Sequence, residues 1–114
     1  MNQTRLTLLN TSILTSYGSF RYERLSLDEA RRLVREFHGE GKQIQSAIGH
    51  QSTADLLSLL LDFPVAVNRI EFEQTRTDAA LIFKLKVRAP EGKILSREEI
   101  EEIGYEFGLL TRTD

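Results

Sequence analysis

Apolar residues recur along this chain with two different periods. Leu27, Ala30, Leu33 and Phe37 repeat at helical spacing behind Ser26, which has Glu29 three residues on, the spacing of a capping box. Ser96 and Glu99 repeat that signal ahead of Ile100 and Ile103, and Ser52 with Asp55 repeats it ahead of Leu56, Leu57, Leu59, Leu60 and Leu61. The spacing predicts three helices, the middle one apolar on nearly every side and therefore deeply buried, with Ser52 as its N-cap. Period-two patterns predict strands at 5–10, 20–25, 45–48, 69–74, 81–88 and 105–112. In the 81–88 run, Leu81, Phe83, Leu85 and Val87 face one way and Ile82, Lys84, Lys86 and Arg88 the other. Thr75 to Asp78 suits a hairpin turn between the 69–74 and 81–88 runs.

The predicted order is β-β-α-β-α-β-β-α-β. It implies an α+β fold, a small mixed sheet of about five or six strands with helices packed mainly on one face. Residues 1–114 read as one domain, with no internal repeat and no low-complexity linker. Charged residues on the 69–74 and 81–88 strands predict that the opposite sheet face is partly exposed.

Composition narrows the functional classes. Hydrophobic residues make up 40% and charged residues 28%, ordinary for a globular protein. The formal net charge is −2, where a protein gripping long DNA through its phosphates needs a basic excess, so stable duplex DNA binding is not expected. No apolar run approaches the ~20 residues that span a membrane, and no secretory signal opens the chain. The absence of cysteine removes disulfides and thiolate chemistry, which suits a cytoplasmic location. No HxxxH, DxD, P-loop, GxGxxG or GxSxG pattern is present, so no metal or cofactor is expected.

The remaining chemistry concentrates at Ser46-Ala-Ile-Gly-His-Gln-Ser-Thr53. His50 stands just before a predicted helix start, where unpaired N–H groups and the helix dipole attract anions. Imidazole exchanges a proton near neutral pH, and Gly49 permits a positive φ and close backbone approach to a ligand. The ordinary alternative is a histidine that fills a turn and bonds a carbonyl. His38 stands at the end of the first helix, where it meets the helix C-terminus. Lys84 and Lys86 are expected to pair with Glu71 and Glu73 across strands. Arg88 and Glu91 flank the shaped loop around Pro90 and are candidates to clamp a phosphate, or else form a simple surface ion pair. Asn10, followed by Thr11-Ser12, ends the first strand with neutral hydrogen-bonding groups, or simply forms a turn. With no metal cluster and no clear protein nucleophile, such a site suits a substrate that supplies its own. RNA does so through its 2′-OH, given in-line positioning, charge stabilisation and a proton for the leaving oxygen.

The ordered set Ser46-Ala-Ile-Gly-His50, Ser52-Thr53, Asn68-Arg69 and Arg88-x-x-Glu91-Gly92-Lys93 resembles the viral ring nucleases, type III anti-CRISPR proteins with relatives on phages, plasmids and bacterial chromosomes. The resemblance covers nearly the whole chain. It implies metal-independent cleavage of cyclic tetra-adenylate, a second messenger of type III CRISPR defence, into linear di-adenylate. It also implies a homodimer with the ring across its two-fold axis, which places two histidines at opposite phosphates of a symmetric ligand. Under the resemblance His50 is the general acid, Arg88 contacts the scissile phosphate and Glu91 supports the site. Asn10, Ser12, Gln51, Ser52 and Thr53 are implied ligand contacts. The segment from Gly39 to Ile44 looks longer than in compact viral members, so it either alters the ligand mouth or is a surface loop. Two other readings stand beside the enzyme: a sponge that binds the cyclic oligoadenylate without cutting it, and a small dimeric DNA-binding protein.

Overall fold

Two of the three predicted serine caps close as capping boxes. In the computed structural model, which describes residues 3–10, 17–86 and 96–114, the Ser26 hydroxyl accepts from Glu29 N–H at 3.1 Å and the Glu29 carboxylate accepts from Ser26 N–H at 3.0 Å. Ser96 and Glu99 repeat the exchange at 3.2 and 3.3 Å. These caps start α1 (Leu27–Gly39) and α3 (Arg97–Ile103). The two Ser26 donors also hold the exposed Glu29 carboxyl below its ordinary value.

The other elements are β1 (Arg5–Leu9), β2 (Phe20–Leu25), β3 (Gln43–Ser46), α2 (Gln51–Leu61), β4 (Asp78–Leu85) and β5 (Tyr105–Arg112). The strands form one mixed sheet in the order β2-β5-β4-β1-β3. β1 is parallel to both β3 and β4, while β5 runs antiparallel to β4 and β2. The fold is therefore α+β with five strands, in the order β-β-α-β-α-β-α-β.

The missing sixth strand is the predicted run 69–74. Its alternation is real, since Phe72 and Gln74 are buried between exposed Glu71 and Glu73. It joins no ladder because both edges of β4, its predicted hairpin partner, are occupied by β1 and β5. The segment instead lies across one sheet face. Phe72 packs with Leu9, Ala80, Ile82 and Leu110, and the Gln74 side chain donates to the Leu110 carbonyl at 2.8 Å. Lys84 consequently stands opposite Glu106 on β5, and the expected pairing with Glu71 and Glu73 does not form. β4 begins at Asp78 and not Leu81 because Asp78 belongs to the ladder opposite Arg5.

All three helices pack on the other face. Leu56, Leu57, Leu60 and Leu61 of α2 join Leu6, Leu8, Leu81, Phe83, Val34, Ile100 and Phe107 in the main core, as the apolar pattern of α2 predicts, with only Leu59 half exposed. At about 25 cal/mol per Å² of apolar surface removed from water, each such leucine contributes ~2 kcal/mol.

One ion pair anchors the opposite face. The fully buried Asp78 carboxylate receives Arg5 Nε at 2.6 Å and Nη2 at 3.0 Å, with Thr75 N–H and its hydroxyl at 2.9 and 3.0 Å. Burial alone pushes this carboxyl up, but the Arg5 and Thr75 donors outweigh it and hold it below its ordinary value. Beside it, the hydroxyl of fully buried Thr7 has no hydrogen-bond partner among the described residues.

The 39–44 segment is a tight helix-to-strand turn. Gly41, at φ 71, and Lys42 return their N–H groups to His38 and Phe37 at 3.1 and 2.9 Å, a Schellman ending that needs a left-handed residue. It lies at the opposite end of β3 from His50, so it does not border the ligand mouth considered for it.

Candidate functional site

The carboxyl ends of the adjacent parallel strands β1 and β3 define the site, the edge where sheets of this kind hold ligands. β1 delivers Asn10, exposed just beyond Leu9. β3 stops at Ser46, and Ala47 N–H makes one further sheet bond, to the Leu8 carbonyl at 2.9 Å. Ile48 then drops fully into the core, leaving Gly49 and His50 to turn the chain into α2.

The start of α2 differs from the sequence expectation. Its N-cap is His50, in extended geometry at φ −128 and ψ 135, and not Ser52. The first helical bond runs from Ala54 N–H to the His50 carbonyl at 3.0 Å, which draws Ser52 inside the first turn. Asp55 is then too far along to close a box and instead accepts from Gln51 Nε2 at 2.7 Å. No side chain caps this helix, and its first turn contains no acidic residue. α1 and α3 have both a serine cap and two acids in the first turn. Among the three helices of the described residues, α2 alone keeps its N-terminal donors and positive dipole end open.

A return segment after α2 completes the site. The Ser58 hydroxyl accepts from Val65 N–H at 2.9 Å, pinning that segment to the helix. Asn68 follows, with its N–H on the Ile48 carbonyl at 2.8 Å and its side-chain amide on the Ser46 carbonyl at 2.7 Å. Arg69 donates from Nε to the Gly49 carbonyl at 2.8 Å. The result is an open cleft of about 430 Å³ lined by Asn10, Ala47, Gly49, His50, Arg69, Ile70 and Glu71.

Of the residues singled out from sequence, Asn10, Gly49 and His50 line this cleft together. Gln51, Ser52 and Thr53 form the first turn of α2 behind it. Ser12, Arg88 and Glu91 lie outside the described residues. The His50 imidazole is exposed and makes no hydrogen bond among the described residues, so it does not bond a turn carbonyl. Gly49 is not in the left-handed region, and an added Cβ would meet Arg69 Cγ at 3.5 Å and Nε at 3.8 Å, both ordinary contacts. The positive φ that glycine permits at this position is not adopted. His38 lies at the last turn of α1, with its ring edge-on to Phe63 at 5.5 Å.

Arg69, Ile70 and Glu71 are the cleft residues that sequence reasoning missed. They fall within the run read as a strand, which assigned Glu71 to cross-strand pairing. The available signal was the Asn68-Arg69 pair, present in the resemblance but given no role there. Arg69 supplies a guanidinium whose Nε is committed to the backbone, while its two terminal nitrogens make no hydrogen bond among the described residues. Imidazole, guanidinium, an uncapped helix start and the neutral Asn10 amide together suit a phosphate diester.

The family described as STIV B116-like matches this chain over residues 6–107. YddF of Bacillus subtilis (strain 168) is 36% identical over 109 residues, covering 96% of this chain and 98% of YddF. ORF117 of Acidianus two-tailed virus is 38% identical over 111 residues, covering 94% of this chain and 92% of that protein. Among solved structures, B116 of Sulfolobus turreted icosahedral virus matches with a TM-score of 0.81 at 25% identity, over 95% of this chain and 99% of B116.

Proposed function

The chain belongs to the STIV B116-like family, and we propose that it acts there as a metal-independent ring nuclease that opens cyclic tetra-adenylate into linear di-adenylate. The observation that carries this reading is the convergence of His50 and Arg69 on one cleft at the only uncapped helix start among the described residues.

In the proposed reaction a ribose 2′-OH attacks the adjacent phosphorus. The P–O5′ bond breaks as the new P–O2′ bond forms and the 2′-OH proton passes to solvent, leaving a 2′,3′-cyclic phosphate and a 5′-hydroxyl. The first-turn N–H groups of α2 and the free end of Arg69 offset charge on the non-bridging oxygens. The His50 imidazolium gives its proton to the departing 5′-oxygen. Asn10 offers a neutral contact for ribose or base. Arg88 and Glu91 keep the roles the resemblance implies, a contact to the scissile phosphate and its support. A homodimer would set two His50 side chains at opposite phosphates and halve the ring. A ring shared between two such clefts meets phosphate contacts from Arg69 and the α2 N-terminus locally, which is compatible with a chain of net charge −2.

The test is incubation of the protein with cyclic tetra-adenylate in EDTA, beside His50→Ala, with chromatography of the products. The expected result is linear di-adenylate from the unmodified chain and a loss of about 10²- to 10⁴-fold in the variant, with ring binding retained. An intact ring in both samples overturns the enzymatic reading. Stoichiometric capture without product would make the protein a sponge, and salt-sensitive duplex binding would favour the DNA-binding alternative.

A further inference from the structure

We propose that Asn68 is a positioning residue that sets His50 from outside the helix and strand that His50 joins; its consequence for turnover rests on the ring-nuclease reading above. The turn Ala47–His50 has little of its own to hold it. The β3 ladder stops at Ser46 with one further bond, from Ala47 N–H to the Leu8 carbonyl, and α2 offers no side-chain cap. Three carbonyls of residues 46–49 are held instead by the return segment. Asn68 alone brackets Ala47, with its side-chain amide on Ser46 O at 2.7 Å and its backbone N–H on Ile48 O at 2.8 Å. Arg69 Nε takes the next carbonyl, Gly49 O, at 2.8 Å. The Ser46 hydroxyl adds a tie from the other side, donating to Ala66 O at 2.6 Å while accepting from Ile48 N–H at 3.2 Å.

The chain thus runs from the core at Ile48 to the N-cap at His50 between anchors only twenty residues later in sequence. Proton transfer in a transition state depends on sub-ångström placement of the donor. Loss of the Asn68 side-chain donor frees the Ser46 carbonyl, while the backbone bond from Asn68 N–H to Ile48 O survives any side-chain change. The variants Asn68→Ala and Asn68→Asp therefore loosen the turn without detaching the segment. Aspartate keeps the size of the side chain but has no donor for Ser46 O.

The experiment pairs single-turnover cleavage of cyclic tetra-adenylate, with protein in excess, with amide hydrogen exchange. Each Asn68 variant is made with His50 intact and with His50→Ala. The cleavage step is expected to slow about ten-fold or more with His50 intact, ring affinity changing by less than about three-fold. In the His50→Ala background the same change is expected to add no further loss, because Asn68 acts through His50. The amides of Ile48 and Ala54, bonded on either side of the turn, are expected to exchange faster, with those of Leu57 and Leu60 unchanged. Equal proportional losses in both backgrounds, or no change at the Ile48 and Ala54 amides, overturn the proposal. If the unmodified chain leaves the ring intact, the ring-nuclease reading falls by itself. The amides then decide Asn68 alone: faster exchange keeps it as the residue that places His50, and unchanged exchange removes it.

Discussion

Arg69 is tied through Nε to the carbonyl of Gly49, the residue immediately before His50. One side chain thus fixes the backbone that carries the imidazole and leaves its outer nitrogens on the cleft that the imidazole lines. Replacing it separates these two contributions. Arg69→Ala is expected to weaken binding of cyclic tetra-adenylate about 10- to 100-fold, the worth of a charge-assisted phosphate contact, with the loss shrinking as salt rises. Arg69→Lys keeps the charge without the planar fork and is expected to recover only part of the affinity. Titration of labelled ring at two ionic strengths measures both; unchanged affinity in Arg69→Ala removes the guanidinium from the ligand site.

Gly49→Ala is expected to fold with stability within about 0.5 kcal/mol of the parent, because an added Cβ makes only ordinary contacts with Arg69, the nearer to Cγ at 3.5 Å. Thermal melting reports it. A large loss would mean that this position needs a conformation glycine alone adopts.

Asp78→Asn is expected to destabilise the fold by about 3 kcal/mol near neutral pH, since it leaves Arg5 and Thr75 facing a neutral group in a buried setting. The pH dependence has a definite sign. The folded carboxyl lies below its unfolded value of about 4, so its stabilisation is complete above that value and drains away as pH falls through the folded one. Denaturant melts along an acid series should show a steep acid limb in the parent and a shallower one in Asp78→Asn.

Thr7→Val is expected to raise stability by about 1 kcal/mol. It replaces a fully buried hydroxyl that lacks a partner among the described residues with a methyl of similar shape. A fall in melting temperature would show that the hydroxyl is satisfied in solution.

The sequence was most legible where local signals decide the structure. Ser26 and Ser96 form their boxes because a cap needs only residues three apart, and the strand at 105–112 is read to the residue. His50, Gly49 and Asn10 were found because loops at strand ends and helix starts carry exposed polar groups. Two errors share a different cause. Alternation puts Glu71 on a ladder because it cannot reveal that β4 has no free edge, which depends on β1 and β5 arriving from both sides of it in sequence. Spacing to Asp55 marks Ser52 as a cap. The turn is instead settled by Asn68 and Arg69, whose bonds to Ile48 and Gly49 hold the chain so that the helix starts two residues earlier. Arg69 escaped for the same reason, since its place in the site exists only once the return segment crosses the turn.

The strand order also sets when this protein can become itself during synthesis. β2 is hydrogen-bonded in the sheet to β5 alone, so a strand made early waits for β5 before it has any sheet neighbour. β1 likewise waits for β3 and then β4, each arriving after an intervening helix. Nascent chains ending anywhere before residue 105 have no sheet partner for Phe20–Leu25, and unpaired strand edges of this kind are prone to aggregate. Much of the sheet's pairing joins strands far apart in sequence, an arrangement that slows folding relative to one built from local contacts.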